Sequence, residues 1–203
     1  MKFLKNNSYD IVKLFINQIG ITIFSLVLYS AIGFMEDEAL ETQLRIWLSV
    51  FATCFYLVLI YCTCWDYGAR DKIRVDGGKQ DRFRSKGALM SLIANIPNFV
   101  LALLAVIFMG VYMSAGSEGA YSSFALVNLI MRFLNAMFLG LLQGIFSFLE
   151  DSTDLYYFWQ SAGYFLAPVI TVLAAHLGYT LGFKEKRLLG FLSVNNNSGK
   201  NNK

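Results

Sequence analysis

The sequence predicts an all-α, polytopic integral membrane protein: a helix bundle with four clear transmembrane helices plus a fifth amphipathic or re-entrant helix. Three observations predict it. Of 203 residues, 56% are hydrophobic and only 15% charged, where an average soluble domain is nearer one quarter charged. Four uncharged stretches reach the roughly 20 residues a helix needs to cross the hydrocarbon core. The lysines and arginines gather outside those stretches.

At this length one domain, residues 1–203, is expected. Neither the two prolines nor the 16 glycines cluster into a linker, and no fixed period repeats. The net charge of +3 is too small to suggest a nucleic-acid partner.

The first span is 14–35. Lys2 and Lys5 ahead of an apolar run resemble a secretion signal. The run is longer than a signal core, and no small-x-small cleavage site precedes a polar domain, so it reads as a membrane helix. Its Asn17 and Gln18 are expected to form interhelical hydrogen bonds. An acidic turn follows, with Glu36, Asp37, Glu38 and Glu41.

The second span, 46–65, holds Cys54, Cys62 and Cys64. They form no C-x-x-C pair and read as buried thiols without redox or metal work. Residues 67–87 are expected to be a basic loop with Arg70, Lys72, Arg74, Lys79, Arg82, Arg84 and Lys86. Asp76-Gly77-Gly78, between Ile73 and Val75 on one side and Phe83 on the other, suggests a short hairpin.

The third span, 88–113, carries Asn95, Pro97 and Asn98 close to the basic loop. Proline removes a backbone donor, so a kink is expected there and at Pro168 in the last span, 155–183. In that last span Ala167, Thr171, Ala174, Gly178 and Gly182 share one face. Ridges of small residues let helix backbones approach closely, so this is a candidate helix-packing face. His176 projects opposite it. A disordered tail is expected over 193–203.

All four spans must be helical, because an open strand leaves backbone groups unpaired in lipid. The segment 124–149 differs. Asn128, Arg132, Asn135, Gln143 and Ser147 fall in one arc of a helical projection, with Leu126, Ile130, Phe133, Met137, Leu141 and Phe148 opposite. It reads as an amphipathic helix lying on the outer surface or re-entering, or else as a fifth span.

Short loops rich in Lys and Arg stay in the cytoplasm. With four spans, the N-terminus, the 67–87 loop and the C-terminus all lie inside, and so do all fifteen loop and terminal cations. A fifth span would move the five C-terminal cations, Lys184, Lys186, Arg187, Lys200 and Lys203, outside. Four spans with both termini cytoplasmic is therefore the expected topology, in a multi-pass protein of a bacterial cell membrane.

Chemistry is sparse. No Ser/His/Asp set, zinc-ligand spacing or phosphate loop is present, and no cofactor or metal is expected. Asn17, Asn95, Asn98 and Arg132 form a candidate intramembrane polar site, since a cation in the bilayer is usually paired or functional. Arg70, Lys72, Arg74, Arg82 and Arg84 are candidates for contact with lipid headgroups or a partner. Asp66-Tyr67-Gly68-Ala69-Arg70 resembles part of the aspartate-rich signature of CDP-alcohol phosphatidyltransferases. That resemblance implies carboxylates at Asp66 and Asp71 holding divalent metal against a pyrophosphate. It covers five residues, and Asp66, Asp71, Asp76 and Asp81 recur every five positions rather than three or four.

Three functions follow as expectations. The first is a non-enzymatic subunit or accessory of a larger transport or sensing assembly, with the bilayer and a membrane-protein subunit as partners. The second is a small self-contained transporter or substrate-capturing protein, which requires 124–149 to lie within the bundle. The third is a membrane enzyme acting on lipid-phosphate headgroups through Asp66 and Asp71.

Overall fold

A computed structural model describes residues 2–34, 37–149 and 152–186. The 193–203 tail lies outside the described residues. Those described are helical throughout, without strands. The helices are α1 (Lys2–Ile32), α2 (Glu38–Asp76), α3 (Lys86–Ala94), α4 (Ile96–Ala115), α5 (Glu118–Leu134), α6 (Leu139–Phe146), α7 (Thr153–Gly163) and α8 (Leu166–Phe183).

Four segments are long and apolar enough to cross a membrane: α1, α2, α4 (continued by α3), and α7 with α8. Local chemistry sets their ends. The Asp37 carboxylate accepts from the amides of Ala39 (3.0 Å) and Leu40 (3.1 Å), capping α2. Gly116 closes α4 at φ +63°, a left-handed conformation that glycine adopts without steric cost. Pro97 sits in the first turn of α4, where a missing N–H costs least, and the α3–α4 break falls at Asn95.

Buried and exposed positions reverse the soluble pattern. Val27, Leu126 and Leu173 are 58–63% exposed. Gln18, Ser25, Ser49, Asn98 and Asn135 are at most 2% exposed. A solvent of hydrocarbon explains both halves: it accepts the apolar side chains and drives polar ones to find partners within the protein.

The helix order can be read from side-chain pairs. Asn17 meets Thr63, and Phe24 meets Phe55, so α1 and α2 are antiparallel. Cβ atoms placed on Gly178 and Gly182 would overlap the carbonyls of Tyr61 and Trp65, so α8 lies parallel to α2 with backbones in contact. Gly110 neighbours Phe158 and Phe99 pairs with Phe165, so α4 opposes α7–α8. The start of α1, the end of α2, the start of α3 and the end of α8 therefore share one end of the bundle. Phe3 stacks edge-on with Phe83, and the Arg82 guanidinium lies 4.7 Å from the Phe183 ring centre at that end.

Three expectations need correction. Residues 67–76 are not loop: α2 runs on to Asp76, and at 39 residues it is about 58 Å long, well beyond a hydrocarbon core of roughly 30 Å. Its last turns carry alternating carboxylates and cations that a helix can hold in water. Asp76-Gly77-Gly78 terminates this helix, with Gly78 at φ +67°, and closes no strand hairpin. Of the three cysteines only Cys64 is buried; Cys54 and Cys62 lie on the exposed face, because their helical phase turns them outward.

The expected fifth, amphipathic or re-entrant helix at 124–149 is present as a bent pair. It is not one helix. α5 ends at Leu134, a short 3-10 turn spans Ala136–Phe138, and α6 leaves at an 88° bend. α5 starts beside the end of α4, where Tyr121 packs on Tyr112. The chain returns to that same end at Thr153, ahead of Phe158 beside Gly110. The pair dips into the bundle and comes back. Its polar face looks inward, with Asn128 and Asn135 buried, while Leu129 and Phe133 face out. Met137, expected on the apolar outer face, is fully buried, since the break redirects everything after Asn135.

Candidate functional site

A helix broken in mid-bundle leaves carbonyls without their usual amide partners, and lipid offers no replacement. Here four side chains supply it. Gln18 Nε2 (3.3 Å) and Thr22 Oγ1 (2.9 Å) of α1 donate to the Leu134 carbonyl. Ser49 Oγ (2.6 Å) and Thr53 Oγ1 (3.0 Å) of α2 donate to the Met137 carbonyl. Ser49 Oγ also accepts from the Leu141 amide at 3.0 Å, and Tyr29 OH accepts from the Gly140 amide at 3.3 Å. Gly140 permits this, because a Cβ there would overlap the Arg45 backbone. Except for Gln18, none of these side chains was singled out in the sequence. The available signal was their spacing: Gln18/Thr22 and Ser49/Thr53 are i, i+4 pairs, each on one face of an apolar helix.

Next to the break, four amides interlock. Asn98 Nδ2 donates to Gln18 Oε1 (3.0 Å) and to Asn95 Oδ1 (2.9 Å), and Asn95 Nδ2 donates to the Ser91 carbonyl (2.9 Å). Asn135 Nδ2 reaches Asn98 Oδ1 at 3.5 Å and the Met131 carbonyl at 3.3 Å. Asn95 and Asn98 thus belong to one buried network joining α1, the α3–α4 junction and the break. Asn17 is not part of it; its amide donates to Thr63 on α2 at 3.4 Å.

Arg132 is not in this network either. It lines a cavity of ≈ 340 Å³ between Tyr29 and Arg45 on one side and Gln143, Tyr156 and Gln160 on the other. Arg45 is matched by Glu41, its Nε 2.8 Å from the carboxylate. Among the described residues no carboxylate pairs with Arg132, whose Nε is buried without an acceptor. Gln160 Oε1 is buried without a hydrogen-bond partner, and the buried Tyr164 hydroxyl lies against the Arg132 guanidinium. Among the described residues the cavity therefore holds about one positive charge that no carboxylate balances, with the Gln160 carbonyl unused beside it.

The small-residue face is occupied within the chain. Ala167, Thr171, Gly178 and Gly182 are buried, and Ala174 is partly so. Gly178 and Gly182 lie against α2 as described above.

The basic end divides into paired and unpaired cations. Asp71 and Lys86, both buried, form an ion pair at 2.7 Å, and Tyr179 OH donates to the same carboxylate oxygen at 2.9 Å. Lys86, expected among the loop cations, is thus the centre of an α2–α3–α8 junction. Arg74 lies 3.6 Å from the other Asp71 oxygen, Arg70 3.7 Å from Asp10, and Lys72 2.8 Å from Glu185. Arg82 and Arg84 instead line a recess with His176, Thr180, Phe183 and Lys184. Asp66 is exposed and lines a different groove beside Lys13. Asp66 and Asp71, five residues apart, do not converge as a metal-binding pair would have to.

Comparison with protein-family models, with curated proteins and with solved structures finds no match for this chain. What is established is the class, a membrane helix bundle with a bent helix pair inside it.

Proposed function

We propose that this protein captures a small anionic solute, a carboxylate or phosphate of metabolite size, in the Arg132 cavity. One observation carries the reading: a guanidinium within the helix bundle that no carboxylate among the described residues compensates. A cation in low-dielectric surroundings is costly unless paired. Guanidinium is also the side chain best shaped to hold a planar or tetrahedral oxyanion through two parallel bonds. The cavity volume of ≈ 340 Å³ falls at the lower end of small-ligand pockets, which run from about 300 to 1,000 Å³. Gln143 and Gln160 offer the remaining polar contacts.

This is the second of the three expected functions, with a different residue set: Arg132, Gln143 and Gln160 in place of Arg132 with the asparagines. The small-residue ridge of α8 is engaged in α2–α8 packing, as expected of a helix-packing face, and so offers little to a partner subunit. Sidedness follows from the Lys/Arg rule, with the basic end cytoplasmic and the cavity in the other half of the bundle.

The test is thermal stability of the detergent-purified chain against a panel of acetate, benzoate, glutamate, citrate and inorganic phosphate. At least one anion should raise the melting temperature in wild type and not in Arg132→Gln. A panel that shifts neither protein, or shifts both equally, contradicts the proposal.

A further inference from the structure

The cations of the basic end are unequal. Arg70, Lys72, Arg74 and Lys86 each face a carboxylate within 4 Å. Arg82, Arg84 and Lys184 face none among the described residues, and they converge on the ≈ 300 Å³ recess over α8. Arg82 is held there by stacking on Phe183. Two polar atoms of α8 that line the recess, His176 Nδ1 and Thr180 Oγ1, are buried and make no hydrogen bond.

The periodicity of α8 says where such a ligand comes from. Leu173, His176, Leu177, Thr180 and Lys184 are spaced three and four apart and form one stripe. Leu173 and Leu177 are exposed, at 58% and 55%, on the apolar surface. Along this stripe the side chains pass from apolar, through two unpaired polar groups, to a lysine flanked by two arginines. A phospholipid has the same order: acyl chain, glycerol ester, phosphate.

We propose that the recess binds the phosphate of an anionic phospholipid in the adjoining leaflet, with the acyl chains along Leu173 and Leu177. Arg82, Arg84 and Lys184 neutralise the phosphate, and His176 and Thr180 take its ester oxygens. This site is separate from the Arg132 cavity and does not depend on it.

Native mass spectrometry of the full chain in non-ionic detergent, titrated with dioleoyl phosphatidic acid, reads it directly. One lipid should bind in preference to dioleoyl phosphatidylcholine. Removing both arginines in R82Q/R84Q should weaken it roughly thirtyfold, since each surface cation contributes about 1 kcal/mol. The control R70Q/K72Q removes as much charge from the same end and should change affinity less than about threefold, because those cations are already neutralised. Thr180→Val leaves every cation in place and should still lower the affinity, and Arg132→Gln should leave it unchanged. Equal weakening in the two double variants would mean diffuse attraction and overturn the site. Competition by inorganic phosphate at the lipid's own concentration would overturn the lipid as its ligand.

Discussion

Arg132 and the Asp71–Lys86 pair show how differently a buried charge behaves with and without an opposite charge among the described residues. Lys86 is compensated and its removal is expensive. Lys86→Met should destabilise the protein by about 3 kcal/mol, because it leaves the buried Asp71 with only the exposed Arg74 and the Tyr179 hydroxyl, while the double variant D71L/K86M should recover much of that loss. Denaturation of the purified proteins, read by helical circular dichroism, distinguishes the two. Arg132 has the opposite expectation. Arg132→Leu should leave the empty protein as stable or raise its stability by up to about 2 kcal/mol, the range typical when a functional strain is removed. It should also abolish any anion-dependent gain. A strongly destabilised Arg132→Leu would mean that the guanidinium serves packing rather than a ligand.

At the scale of elements, two devices hold the fold together. The first is backbone contact between α2 and α8, which Gly178 and Gly182 make possible. Gly182→Leu should cost about 3 kcal/mol by forcing the helices apart. Gly20→Ala, where a Cβ meets nothing within 4 Å, should instead be neutral or gain about 0.5–1 kcal/mol from helix propensity. The second is the bracing of the α5–α6 break. The double variant S49A/T53V orphans the Met137 carbonyl and should cost about 1–2 kcal/mol, with faster hydrogen exchange at the Leu141 amide. These devices were legible to different degrees. The small-residue spacing on α8 is written in five positions of one helix. The break is not, because Leu134-Asn135-Ala136 holds no proline or glycine, and a lone asparagine is a weak stop. It is set by partners more than 80 residues away in sequence, on α1 and α2. The same distance hides the Arg132 cavity, whose walls come from α1, α2, α5, α6 and α7.

Across the whole molecule, the four long apolar runs could be read directly, because membrane thickness imposes a length and an uncharged composition that few other structures require. Helix ends beyond the apolar run were harder. The last turns of α2 look like loop by charge, yet Asp71 and Arg74 stabilise a helix that docks on α3 and α8. The return of the bent pair places residues 77–85 and 184–186 at one end of the bundle and residues 116–118 at the other. The decisive measurement is side-specific labelling with a membrane-impermeant maleimide, in a cysteine-free background carrying one cysteine at a time. Lys79→Cys and Glu185→Cys should react from the same side of the membrane, and Glu118→Cys only from the opposite side. Reaction of Lys79→Cys and Glu185→Cys from opposite sides would show that 118–149 crosses outright, and would remove the re-entrant break on which the Arg132 cavity is built.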